Sequence, residues 1–278
     1  MLIETQKPRT DLQPATPASP FRAEPLAPQY RSRPWGRHDG IPAPAAMQPL
    51  GEMVFDAAED GLVVKWLQTS GPLSVRFHPQ RGPGRNHKWW YVADARPGAW
   101  LQLGLKRSAE PEEIARAARD GSLPGMLRRI EPAMGDMFFV EAGTLHALGP
   151  GLTVVELRET GEAARQLCGH DGPQGPDPAL HEAILDPRPI QPLPSEHAPF
   201  RIAQEMIGPE QRVMLMDRRA CIAIVEGSGT LGNQPYQRHQ CWQLNGPLPA
   251  RAIEPTVMIL AEAVEPAGED AEGCRTRQ

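Results

Sequence analysis

The sequence predicts an all-β protein, a barrel or sandwich carrying one small helical insertion. Short apolar runs recur along the chain between turns rich in Gly, Pro and Asp, and a single segment has the start and stop signals of a helix. Proline narrows the choice further. Many of the 32 prolines fall in 1–50 and 172–199, where runs such as Gln13-Pro14-Ala15-Thr16-Pro17 cannot form helix or a central strand. A content of 40% hydrophobic residues supports a buried core, and with aromatics at 5% aliphatic side chains must fill most of it.

In chain order, residues 1–28 read as a disordered Pro/Ala-rich tail. A first domain spans 29–171, with strands predicted at 62–67, 73–78, 89–93 and 99–104. The helix follows, with Ser108 as N-cap, Pro111 in its first turn and a stop at Gly121. Strands at 136–140 and 152–157 then flank a turn that holds His146. A Pro-rich linker covers 172–199, a second β half 200–265, with strands near 213–216, 221–225 and 257–260, and a flexible tail 266–278. Gly227-Ser228-Gly229-Thr230-Leu231-Gly232 satisfies G-x-G-x-x-G after a strand. A dinucleotide loop also needs a helix to start there, and Asn233-Gln234-Pro235-Tyr236 starts one poorly, so the segment reads as a hairpin turn.

A net charge of −5 with scattered basic residues gives no footprint for nucleic acid. No stretch approaches the ~18 apolar residues of a membrane span, and the N-terminus has no apolar signal region. The expected partner is therefore neither nucleic acid nor membrane, and the expected location is the cytoplasm. Cys168, Cys221, Cys241 and Cys274 lack C-x-x-C spacing and read as structural thiols.

Two strings carry the chemistry: Leu73-Ser74-Val75-Arg76-Phe77-His78-Pro79 and Ala142-Gly143-Thr144-Leu145-His146-Ala147. Each sets one histidine in a strand or at its end, at a separation that suits opposite sides of one small barrel. The strings resemble the Leu-Ser-Val/Ile-Gln-x-His-Pro and Ala-Gly-Thr-x-His-Ala of the type I mannose-6-phosphate isomerases, zinc-dependent cupins. Arg33-Pro34-Trp35-Gly36, Gly51-Glu52, Asp94-Ala95-Arg96-Pro97-Gly98-Ala99 and Gly104-Leu105-Lys106 extend the resemblance, which runs from about residue 30 to 263. It implies a cupin-type jelly-roll barrel, bicupin-like, whose second half is degenerate and offers only His239 as a candidate ligand. It also implies that His78 and His146 bind the metal, that Arg165 is catalytic, that Lys65 lies near substrate and that Glu156 is a general base or orients a histidine. This chain departs from the family at Ala164 and Cys168, where the family has Tyr and Asp, at Val54 for Trp, and at two metal ligands: Arg76 replaces Gln and Lys88 replaces Glu.

Aldose–ketose isomerisation removes a proton beside a carbonyl through an enediolate, and a divalent metal stabilises that charge. Such a metal wants about three protein ligands. Two unit charges about 4 Å apart interact by ~4 kcal/mol at an effective dielectric near 20, so Lys88 in the place of a carboxylate opposes a divalent ion by roughly 8 kcal/mol. Arg76 stays protonated and adds to this. His87 offers another nitrogen, but strand alternation turns it to the opposite face from Lys88. Two functions stay open. One is an isomerase interconverting mannose 6-phosphate and fructose 6-phosphate, with zinc on His78 and His146. The other is a non-catalytic relative, its zinc weakened or lost, that binds a sugar phosphate or another anion through Arg76 and Lys88.

Overall fold

The computed structural model describes residues 22–57, 61–82, 86–161, 164–169, 178–195, 198–215 and 219–264. Residues 1–21 of the tail expected at 1–28, and the whole tail expected at 266–278, lie outside them. The described chain begins with β1 (Arg22–Pro25) and continues through β2 (Gln29–Arg37), β3 (Leu50–Ala57), β4 (Leu62–Gln68), β5 (Val75–Phe77), β6 (Lys88–Ala95) and β7 (Leu101–Leu105). Helices α1 (Pro111–Asp120) and α2 (Leu123–Met126) come next. They are followed by β8 (Leu127–Ile130), β9 (Met137–Val140), β10 (His146–Leu148), β11 (Leu152–Glu159) and β12 (Arg165–Cys168). The remaining strands are β13 (Phe200–Ile207), β14 (Arg212–Leu215), β15 (Arg219–Glu226), β16 (Ser228–Leu231), β17 (Gln234–Gln237), β18 (Cys241–Asn245), β19 (Leu248–Ala252) and β20 (Thr256–Ala263).

These strands close two jelly-roll barrels, the all-β architecture with a small helical insertion that the sequence predicts. In the first, a six-stranded sheet of order β2-β3-β4-β11-β6-β9 faces a five-stranded sheet of order β12-β5-β10-β7-β8. In the second, β1-β18-β15-β20-β13 faces β14-β19-β16-β17. The six-stranded sheet turns its outer face to the second barrel, where Trp66, Trp89 and Tyr91 pack with Cys221, Ala223 and Ile259. Its strands are therefore covered on both faces, which is why β4 and β6 read as nearly continuous apolar runs. Alternation assigns the two faces. Val64 and Trp66 face the second barrel while Lys65 and Leu67 face the first barrel's interior.

Three details depart from expectation. Arg22–Pro25 lies within the expected tail yet forms β1, which pairs antiparallel with β18 and buries Ala23 in the second barrel. Glu110, not Ser108, is the residue before the first turn of α1; Pro111 occupies that turn, and Gly121 ends the helix in a left-handed conformation, φ +81°. The stretch expected to link the domains packs on the first barrel in its described part: Leu180 and Ile184 are buried, and Trp89 Nε1 donates to the Pro192 carbonyl at 2.9 Å. The G-x-G-x-x-G segment is the hairpin strand β16, with no helix behind it. A Cβ at Gly229 would come within 2.0 Å of the Arg251 carbonyl, so close pairing with β19 accounts for that glycine. No helix among the described residues is long and apolar enough to cross a membrane.

Candidate active site

The interior of the first barrel holds a cavity of about 290 Å³. Alternation along β3, β4, β6 and β11 points Glu52, Lys65, Lys88, Trp90, Glu156 and Arg158 into it, and the opposite sheet supplies Arg76, His78 and His146. The register brings the groups together: Glu156 pairs across with Lys65 on one side and Trp90 on the other, Arg158 with Lys88, and His146 with Arg76. Six of the seven residues singled out by sequence thus line one cavity. Arg165 does not; it lies exposed on edge strand β12, and its neighbour Ala164 reaches the cavity instead.

The two histidine strings are joined by their backbones. The Gly143 N–H donates to the His78 carbonyl at 2.6 Å, with Gly143 at φ +92°. A Cβ there would meet Gln80 Cγ at 2.7 Å, so only glycine allows this clasp. The histidines lie at the ends of neighbouring strands rather than on opposite sides of the barrel, their rings parallel within 6° and their centroids 6.2 Å apart. His146 begins β10 instead of sitting in a turn. Its Nδ1 meets the Thr144 carbonyl at 2.8 Å; a carbonyl only accepts, so Nδ1 carries the proton and Nε2 keeps a lone pair. Nδ1 of His78 is buried with no hydrogen-bond partner. Burial first, and the Lys88 ammonium second, push His78 down to about 2 and His146 to about 3, so both rings are neutral at pH 7.

Charge dominates the rest. Lys88 Nζ lies 3.3 Å from Glu156 Oε2, and both side chains are at most 7% exposed. Trp90 Nε1 donates to the same carboxylate oxygen at 2.9 Å. Burial pushes Lys88 down to about 8 against the pull of Glu156, which leaves it mostly protonated at neutral pH. Burial works to raise Glu156, yet Lys88, Lys65 and the Trp90 hydrogen bond hold its carboxyl well below the usual carboxylate range. Nearer the rim, Glu52 accepts from Arg33 Nε at 2.8 Å and pairs with Lys65 at 3.5 Å and Arg31 at 3.8 Å. In all, Arg31, Arg33, Lys65, Arg76, Lys88 and Arg158 surround the cavity against Glu52 and Glu156, six cations to two carboxylates. Sequence reading missed Arg31, Arg33 and Arg158 as site residues. Arg158 had a signal, since two residues from Glu156 on a strand means the same face.

This donor set does not fit a divalent cation. Two neutral imidazoles are suitable ligands, but the nearest carboxylate, Glu156, is already bound by an ammonium and an indole N–H. No group of three or more His, Cys, Asp or Glu able to hold a metal occurs among the described residues. His87 adds no donor: its Nδ1 accepts the Ala142 N–H at 3.3 Å and its ring stacks on Phe139. His239 sits against Trp66 between the barrels, ring centroids 5.0 Å apart, not inside the second one.

No protein-family model matches the chain. A Bacillus subtilis (strain 168) protein named probable mannose-6-phosphate isomerase GmuF is 32% identical over 149 residues, 50% of this chain and 47% of that protein. The mannose-6-phosphate isomerase of Streptococcus mutans is 30% identical over 129 residues, 43% of this chain and 40% of its own. Over about half of its length the chain is similar to mannose-6-phosphate isomerases. Its match spans less than half the length of these curated relatives. The fold extends further. The crystal structure of mannose 6-phosphate isomerase from Bacillus subtilis superposes with a TM-score of 0.68 over 86% of this chain and 99% of that one at 18% identity. The apo form of the Salmonella typhimurium enzyme gives 0.66 over 87% and 99% at 11% identity. These solved mannose-6-phosphate isomerase structures thus share the two-barrel architecture.

Proposed function

We propose that the chain isomerises a phosphorylated hexose, interconverting mannose 6-phosphate and fructose 6-phosphate in the first barrel. One observation carries the reading: six cationic side chains against two carboxylates around a single cavity. A sugar phosphate brings close to two negative charges, and an enediolate adds another as it forms, so this excess of positive charge favours both the substrate and the transition state. The kinship with mannose-6-phosphate isomerases supports the substrate class.

Arg76 and the rim residues Arg31 and Arg33 take the phosphate, for which the guanidinium fork is suited. Lys65 and Lys88 face the sugar's oxygens. Glu156 is the base. A dianion entering the cavity draws Lys65 toward itself, which loosens that cation's hold on Glu156 and raises its basicity while Lys88 stays in its pair. The proton leaves the carbon beside the carbonyl for Glu156 and returns to the neighbouring carbon, while the hydroxyl proton passes between the two oxygens with the Nε2 lone pair of His146 as relay; no net oxidation occurs. Arg165, on the strand beside Ala164, is assigned to the cavity's outer edge. A phosphorylated sugar as substrate agrees with a cytoplasmic location.

The test is turnover of mannose 6-phosphate by the purified full chain, followed as fructose 6-phosphate formed. Glu156→Gln should lower kcat by ~10²-fold or more, the share a positioned general base supplies. Wild-type turnover indistinguishable from the uncatalysed rate rules the reaction out.

A further inference from the structure

We infer that Lys88 takes the place of a divalent cation in this site: the Lys88–Glu156 ion pair, and no bound metal, supplies the positive charge at the centre of the first barrel. The inference rests on the sugar-phosphate reading above and concerns how the same site works.

Position is the first argument. Lys88 opens β6 directly across from Arg158 on β11, and its ammonium reaches Glu156, which otherwise is the natural third donor beside the two imidazoles. A metal ion must then displace an ammonium from a carboxylate that Trp90 also holds, in a wall already lined by Lys65, Arg76 and Arg158. Each of those charges opposes a doubly charged ion.

Lys88 also has nowhere else to go. Its side chain is 7% exposed, and the strand residues that follow it, Trp89 and Trp90, are fixed in the two cores on either side of the sheet. An ammonium turned away from Glu156 would give up its one close carboxylate partner in a wall that already carries Lys65, Arg76 and Arg158. The pair is thus held by the fold.

The imidazoles complete the exchange. The proton-free Nε2 of His146 and the buried, unpartnered Nδ1 of His78 are neutral polar atoms lining a cationic pocket. They provide sites for hydroxyl hydrogens of a sugar. In this arrangement the ammonium stabilises the developing enediolate as a single charge, and the imidazoles orient the oxygens around it.

Equilibrium dialysis of the chelator-treated full chain against zinc, with metal measured by mass spectrometry, tests the inference directly. Wild type should retain far less than one zinc per chain at concentrations that fill Lys88→Glu, a difference in affinity on the order of 100-fold or more. Lys88→Gln, which removes the charge without adding one, should also bind more tightly than wild type and serves if Lys88→Glu melts early. One zinc per wild-type chain as isolated, or equal affinity in wild type and both variants, overturns the inference. Turnover is a separate readout: wild-type activity unchanged by chelator supports the ammonium's role, and activity abolished by chelator and restored by zinc refutes it. The dialysis reads the ion pair alone, so a chain that turns over no sugar phosphate defeats the proposed reaction and leaves the metal result to be judged by itself.

Discussion

The two barrels have the same architecture and opposite interiors. The second is filled by Ile222, Ile224, Trp242, Leu244, Met258 and Leu260, an apolar core of the kind that holds most domains together. In the first, the apolar filling of Leu101, Leu103, Leu152 and Val154 gives way to a layer in which lysines, arginines, glutamates and histidines from both sheets meet. Buried charges cost desolvation energy that hydrophobic side chains of the same volume do not. The first barrel bears that cost where the second does not, and this difference supports the first barrel as the proposed site more directly than the fold does, since one fold serves many activities.

The comparison is broken most severely by unpairing the charges. Lys88→Met should destabilise the chain by about 3–5 kcal/mol, because it strands Glu156 in the interior. Lys88→Met with Glu156→Met should recover most of that loss in a denaturant titration, at the expense of any sugar-phosphate binding. In the second barrel Trp242→Ala should cost a similar ~3–5 kcal/mol through its cavity, and no second truncation nearby should restore it. A double variant as unstable as Lys88→Met alone would mean that the pair is not what the first interior is built around.

A second difference is pH sensitivity. His78 and His146 have folded values of about 2 and about 3 against 6.5 for the free side chain. Between these limits the unfolded chain binds more protons than the folded one, so stability falls as pH drops below about 6.5. The slope approaches ~1.4 kcal/mol per pH unit for each ring once the pH is well under that value. Melting temperatures from pH 7 to pH 5 avoid most carboxylate titration and should fall less steeply in His78→Gln and in His146→Gln. Equal slopes in wild type and both variants would remove the two rings as the source. Among the described residues no histidine lies in the second barrel's interior; His239, between the barrels, is pushed down to about 4 by burial and contributes equally in wild type and in the His78 and His146 variants, and mutants of the second interior should keep the wild-type slope.

How far the sequence reveals each barrel follows from the range of the interactions. Turn-bounded apolar runs and the α1 stop at Gly121 are local signals, and they locate the barrel architecture and the inserted helix. β1 escapes because Arg22-Ala23-Glu24-Pro25 has no strand-like pattern of its own; its partner, β18, lies some two hundred residues away. The site is legible where a string names it, at His78, His146, Arg76 and Lys88. Lys65 offers a solvent-facing strand residue as the plain alternative, yet it faces the barrel interior, because β4 lies between two cores and only the packing says which face holds the charge. The Lys88–Glu156 contact, the centre of the site, joins residues that no local pattern relates.

The smallest expected effect belongs to the rim. Arg33 is 38% exposed, with its guanidinium on Glu52 at 2.8 Å, in reach of water and salt. Such a pair contributes roughly 0–1 kcal/mol, since solvent screens it and ordering the side chain costs entropy. Arg33→Ala should therefore shift the melting temperature little. Its effect should appear with ligand. Inorganic phosphate, binding only the folded state, stabilises by mass action, about 2.7 kcal/mol at a hundredfold excess over Kd. Arg33→Ala should weaken phosphate binding and shrink that shift at fixed concentration, Arg76→Ala should shrink it more, and Trp242→Ala in the second barrel should leave it intact. A shift undiminished in both arginine variants would place the anion outside the first barrel, and the contrast between the two interiors would then be structural alone.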